Sequence, residues 1–137
     1  MKTGYELVDL LWVLLHSNED LKSSISGSIY KHKRPDGSVK QDIVINSLTS
    51  NNEQLQKSVL NINFHCPNLQ VSPGGQPAVY VPDSVKLKSI VSKIIALVDD
   101  HWTPEYHSIV ERQQHFEESE LKETFSNIRV IIHSINV

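Results

Sequence analysis

The sequence predicts an α+β domain: an antiparallel or mixed sheet of four to five strands, with two main helices packed on one face. Three observations carry this. Ser58–Cys66 reads SVLNINFHC and alternates polar and apolar residues. The closing stretch Phe125–Val137, FSNIRVIIHSINV, alternates in the same way. Between them, Ser84–Asp99 carries Leu87, Ile90, Val91, Ile94, Ile95 and Val98 at helical spacing, while Lys86, Lys88, Ser89, Ser92 and Lys93 fill the other side. Period two marks a strand with one buried face, and period 3.6 marks an amphipathic helix.

Each element can be justified in order. Thr3 and Glu6 have the spacing of a capping box, which predicts a first helix over Gly4–His16. Asn18 is placed to cap a short turn through Lys22. The next stretch reads as a hairpin. Its first strand begins at Ile29-Tyr30, its turn is Pro35-Asp36-Gly37, and its return strand runs from Val39 to Leu48 with Ile43 and Ile45 on one face. After a polar gap at Thr49–Gln56, Leu60, Ile62, Phe64 and Cys66 face one way and Asn61, Asn63 and His65 the other. Pro67–Pro82 holds four prolines, two glycines and no charge, yet includes Leu69, Val71, Val79, Tyr80 and Val81. It reads as a long loop without a helix or central strand.

Asp83 or Ser84 caps the second main helix. After the break at His101–Pro104, a strand is expected over Tyr106–Gln113, followed by an acidic segment over Glu117–Glu123 that is able to form a helical turn. The last strand, Ile128–Ile135, puts Ile128, Val130 and Ile132 on one face and Ile131 and Ile135 on the other, as a central strand does.

The bulk numbers fit one domain over residues 1–137. The chain is 39% hydrophobic and 21% charged, with net charge −3. Nothing in that charge balance pulls toward nucleic acid, which would want a basic face. The apolar run Leu7–Leu15 is interrupted by Asp9, lacks a small-residue cleavage site and is shorter than the roughly 20 residues a bilayer span needs. It reads as a buried helix. One cysteine, Cys66, makes no intramolecular disulfide, which points to a reducing compartment or a particle assembled inside a cell.

No catalytic constellation emerges. The seven histidines lack the His-x-x-x-His spacing of helical zinc sites, and His65 and Cys66 point to opposite faces of a strand. Cys66 shares its face with Ile62 and Phe64, so a small buried hydrophobe is the better reading. Ser72-Pro73-Gly74-Gly75 lacks the Gly-Lys-Ser/Thr of a phosphate loop. Neither a metal nor a cofactor is therefore expected. Trp12 reads as core, and Trp102 and Tyr106 as core or interface. Lys31, His32, Lys33, Arg34 and Lys40 make a basic segment, and Glu117, Glu118, Glu120 and Glu123 offer it an acidic counterpart in an identical subunit.

The order of elements resembles the tail-completion, or tail-terminator, proteins of long-tailed bacteriophages and prophages. The stretches that carry the resemblance are LVDLLWVLL, ISGSIYKHKRPDG, IVINSL, VLNINFHC, VKLKSIVSKIIALVDD and FSNIRVIIHSINV. The loop at 67–82 is longer and richer in proline than that pattern. The resemblance implies a structural, non-enzymatic role in a virion tail assembled in the bacterial host cytoplasm. It implies a homo-oligomeric ring, usually a hexamer, on the head-proximal end of the tail tube. Its partners would be its own copies, the tail-tube protein and a head–tail connector protein, with no membrane and no sequence-specific nucleic acid. Exposure alone places candidate interface positions at His32, Lys33, Arg34, Gly74, Gly75, Tyr80 and Val81. Two other readings stay open: a different neck or baseplate adaptor, and a small metal-dependent hydrolase using His65, His107 or His133 with Glu111.

Overall fold

The computed structural model describes residues Met1–Ile135; Asn136 and Val137, the end of the alternating stretch Phe125–Val137, lie outside the described residues. Its helices are α1 (Gly4–His16), α2 (Glu19–Ser23) and α3 (Ser84–Val98). Its strands are β1 (Ile29–Lys31), β2 (Asp42–Ser50), β3 (Leu55–Pro67), β4 (Leu69–Val71), β5 (Val79–Val81), β6 (His101–Trp102), β7 (His107–Glu118) and β8 (Glu123–Ile135).

The caps fall where the side chains can satisfy free amides. The Thr3 hydroxyl accepts from the Glu6 amide at 3.1 Å, Asn18 from Leu21 at 2.9 Å and Asp83 from Lys86 at 3.2 Å. α1 buries Leu7, Val8, Leu11 and Leu15, and α3 buries Leu87, Ile90, Val91, Ile94 and Val98. Both lie against one face of the sheet, on a core completed by Ile43, Ile45, Leu60, Ile62, Phe64, Cys66, Ile128, Val130 and Ile132. Trp12 packs only partly buried against this core, its indole N–H donating to the Ile29 carbonyl at 2.9 Å.

The sheet has six strands in the order β1-β2-β3-β8-β7-β6, more than the four to five expected. A separate two-stranded sheet pairs β4 with β5. The two alternating stretches of the sequence are neighbours: β3 and β8 run antiparallel over their whole length, with Leu60 opposite Val130 and His65 opposite Phe125. Their shared period is what lets one face of both strands be buried at once. β7 is longer than predicted, and the acidic segment is its end plus a 3-10 turn at Ser119–Leu121.

The predicted hairpin at Ile29–Leu48 is corrected. β1 runs parallel to β2, with Ile29 opposite Ile43, and the strand begins at Asp42 instead of Val39. A parallel pair cannot be closed by a tight turn. His32 enters the left-handed region at φ 68°, and Gly37 at φ 73°, so residues 32–41 leave the sheet plane and return as a wide loop. Gly27 is required where the chain enters β1: a methyl there would overlap the Asp42 carboxylate and lie 2.5 Å from the Gln41 carbonyl oxygen.

The segment at 67–82 is also corrected. Proline and glycine shape it into a hairpin arm: β4 and β5 pair from Leu69–Val81 to Val71–Val79. Gly74 and Gly75 turn its tip at φ 56° and φ 75°. The prolines flank the strands and do not interrupt them.

Candidate functional site

The sheet's second face carries no helix. Strand alternation puts Asp42, Val44 and Asn46 of β2, Asn61, Asn63 and His65 of β3, and Glu123, Phe125, Asn127 and Arg129 of β8 on it. Amides cross its middle: Asn127 donates to Asn63 at 2.7 Å and to Asn61 at 3.1 Å, and Asn61 donates to Asn46 at 3.3 Å. Because the alternation puts asparagines where a solvent-facing sheet would take any polar residue, the cross-strand bonds hold this face in register.

At one end of this face the loop 32–41 is tied down by charge. Arg34 makes two hydrogen bonds to the Glu123 carboxylate, at 2.8 and 2.9 Å, and approaches Asp42 at 3.5 Å. His65 Nδ1 lies 2.8 Å from the same Glu123 carboxylate. Asp42 is fully buried and also accepts from the Ser38 hydroxyl at 2.5 Å and the Ser28 amide at 3.2 Å. Burial opposes ionisation of Glu123, but hydrogen bonds from His65 and Arg34 outweigh it and hold its carboxyl below the ordinary carboxylate range. The guanidinium thus fills the space between two carboxylates that a cation would otherwise take.

This cluster changes how several sequence expectations read. Arg34 keeps only 16% of its side-chain exposure and pairs with Glu123 of its own chain, where the basic and acidic segments were expected to offer pairing between subunits. His65, a hydrolase candidate in the sequence, is here a structural partner of Glu123. Asp42 was missed, and Glu123 was named only as one of four equivalent acidic residues. Glu123 stood in an acidic run, and nothing local distinguishes the one carboxylate that turns inward. Lys33 pairs with Asp36 at 3.0 Å, and His32 stacks edge-on to Tyr5 at 5.1 Å.

The hydrolase residues converge only in part: His107 and His133 line one depression, but His65 and Glu111 do not join them there. His107 and His133 are cross-strand partners, and His133 sits opposite Lys57. His65 lies eight residues further along β3, about 26 Å by the strand rise. Glu111 occupies a bulge in β7, where the register shifts between Val110 and Arg112. Among the described residues, no group of three histidines, cysteines, aspartates or glutamates is placed to hold a metal ion. Cys66 is buried on the helix-covered face; burial, with Asp83 adding, pushes its thiol up to about 11.

The remaining prominent surface is the arm. Leu69, Val71, Val79 and Tyr80 are 38–47% exposed although all are apolar or aromatic. Its root is fixed: the Asn68 amide donates to the Lys122 carbonyl at 2.8 Å, and the Lys122 ammonium sits 4.4 Å over the Tyr80 ring. Tyr80 and Arg34 line one shallow depression with Val39 and Leu121, so the structure brings the root of the arm beside the loop 32–41, while Gly74 and Gly75 project at the tip. At the opposite end of the sheet, Trp102 is 70% exposed and stacks on His107 at 3.7 Å. Hydrogen bonds from His107 and Trp102 hold the Asp100 carboxyl below its ordinary range.

No protein-family model and no curated protein matches the sequence. The fold has counterparts among solved structures. One is a chain of a structure named "Virion of native gene transfer agent (GTA) particle", with TM-score 0.63 and 7% identity, the match covering 95% of each chain. At that identity the likeness concerns the fold, and it spans nearly the whole of both chains.

Proposed function

We propose that this chain is a structural protein of a phage-like particle, and more narrowly a tail terminator. In this reading it forms a homo-oligomeric ring, a hexamer, on the head-proximal end of the tail tube. It stops tube growth and presents a surface to the head–tail connector. It is assembled in the host cytoplasm and ends in the virion tail.

The observation that carries the reading is the arm. A two-stranded hairpin is marginal in water by itself. Here one is retained with its apolar side chains outside any core, on a domain whose fold matches a virion chain end to end. An exposed apolar element of this kind is what a permanent assembly would cover. A ring needs heterologous contacts that close by rotation, and an arm reaching from one subunit to the next supplies one. His32, Lys33, Gly74, Gly75, Tyr80 and Val81 remain the proposed contact positions; Arg34 serves the contact indirectly, by fixing the loop that carries the others.

The test is electron microscopy of the purified protein mixed with tail tubes, together with its mass by light scattering. Rings at one end only of each tube, and tubes that no longer elongate, are the expected result. Binding to the head vertex with bare tube ends would overturn the terminator reading in favour of a neck adaptor. The hydrolase reading draws little support from the geometry: His107 and His133 pair across strands, but Glu111 does not line their depression and His65 lies at the other end of the sheet.

A further inference from the structure

β7 has an open edge. β6 pairs with it only at His107 and Ser108. Beyond Val110, whose amide donates to the Asp99 side chain at 3.0 Å, Glu111–Glu118 have β8 on one side and no main-chain partner on the other among the described residues. An unpaired edge of this length is a template for another strand. The bulge at Glu111 marks where the edge opens.

A groove runs along this edge. It has a volume of about 580 Å³ and lies between α3 and the overhanging end of β7. Leu87, Val91 and Ile95 form its helix wall, and Gln113, His115 and Glu117 its strand wall. His115 is held in place by the buried Ser126 hydroxyl, 2.7 Å from its Nδ1. The surface therefore offers unpaired amides and carbonyls beside an apolar trough. Its proper ligand is an extended, uncharged segment with apolar side chains on alternate positions.

The chain contains such a segment. The arm has no charge between Pro67 and Pro82, its strands pair only with each other, and Val71 and Val79 face each other as cross-strand partners with exposed side chains. From Leu69 to its tip it extends roughly 15–20 Å at the strand rise, enough to leave its own subunit. We propose that the β4–β5 arm of one copy adds to the Glu111–Glu118 edge of a second copy and seats its apolar side chains in the groove under α3. Each copy gives an arm and receives one, a head-to-tail contact that repeats around a closed assembly. This rests on the ring reading above and names its subunit joint.

The test uses the full chain in a Cys66→Ala background, with circular dichroism to establish folding. Copies carrying Val79→Cys are mixed with copies carrying His115→Cys under mild oxidation. A disulfide-linked dimer is expected, and none when Val13→Cys replaces His115→Cys. In the unmodified protein, amide exchange across 111–118 should slow at least tenfold between dilute and assembled samples. Absence of the dimer, or unchanged exchange, overturns the proposal. Rings on tube ends with neither signal would sink this joint and leave the terminator standing; both signals in a protein that ignores tail tubes would do the reverse. Protection that appears only on adding tubes, without the dimer, assigns the groove to the tube protein and also overturns it.

Discussion

Arg34 and Glu123 stand 89 positions apart in the chain and meet in a two-point ion pair, with both N–O distances under 3 Å: 2.8 and 2.9 Å. That contact closes the loop 32–41 over the sheet. It also joins the first strand pair to the last strand. Removing one partner leaves a buried charge, which costs more than the pair itself contributes. Arg34→Ala should therefore destabilise the fold by about 3 kcal/mol, the low end for a buried pair because Arg34 keeps some solvent contact. Adding Glu123→Gln to Arg34→Ala should recover part of that loss. Urea denaturation of both variants reads it; a single variant as stable as the parent would show the pair to be idle.

The same carboxylate sets an acid limb. Its folded pKa is depressed below the ordinary value of 4.5, so the unfolded chain binds the proton more readily. The resulting stability is present above about 4.5 and is lost as pH falls through the lower, folded value. Glu123→Gln should flatten the stability profile in that acid window and leave its shape between pH 6 and 8 unchanged. Thermal melts from pH 3 to 7 would show this; a limb of the same steepness in the variant assigns it elsewhere.

Gly27 and Gly4 make a contrasting pair. A methyl on Gly27 meets the buried Asp42 carboxylate and the Gln41 backbone, neither of which can move without breaking the bonds that hold the loop. Gly27→Ala should cost about 2–3 kcal/mol, in the range of overpacking. At Gly4 the methyl meets the exposed Ser47 hydroxyl at 2.5 Å, which can rotate away, and the Ser47 Cβ at 2.9 Å, which yields only by a small shift of the helix start against β2. Gly4→Ala should change stability by less than about 1 kcal/mol, since helix preference for alanine offsets the crowding. Equal losses at both sites would mean that local backbone preference, and not the Asp42 contact, governs Gly27.

Cys66 should be chemically quiet. Its thiol is fully buried and remains protonated up to about 11, and thiolate is the reactive form. In native protein at pH 7.5 a maleimide should label it at least a hundredfold more slowly than in 6 M guanidinium. Rapid labelling without denaturant would place the thiol at the surface and with it the face of β3 that carries Phe64.

The arm and the core should be separable. Because β4 and β5 pair only with each other, Val71→Asp with Val79→Asp should shift the melting temperature by less than about 3 °C while abolishing any concentration-dependent mass. Calorimetry and light scattering on the same samples decide it. A large fall in melting temperature would mean the arm belongs to the core.

Local side-chain pattern was enough for β3, β8, α1 and α3, because a period of two or 3.6 is set by backbone geometry and by which face meets water. Caps at Thr3, Asn18 and Asp83 were legible for the same reason: each acts within three residues. What the pattern does not contain is pairing. β1 lies parallel to β2 because residues 32–41 are drawn off the sheet by a charge contact, and Pro35-Asp36-Gly37 looks the same whether it closes a hairpin or caps a loop. Pro67–Pro82 holds an arm because its prolines flank short strands, a matter of register and not of composition. Glu123 is buried while its acidic neighbours are not, since only it faces Arg34 across the folded sheet. The chain by itself determined its elements and their apolar faces. The partners of its charges, and the one apolar hairpin left outside the core, were decided by contacts between distant residues, which carry no local period.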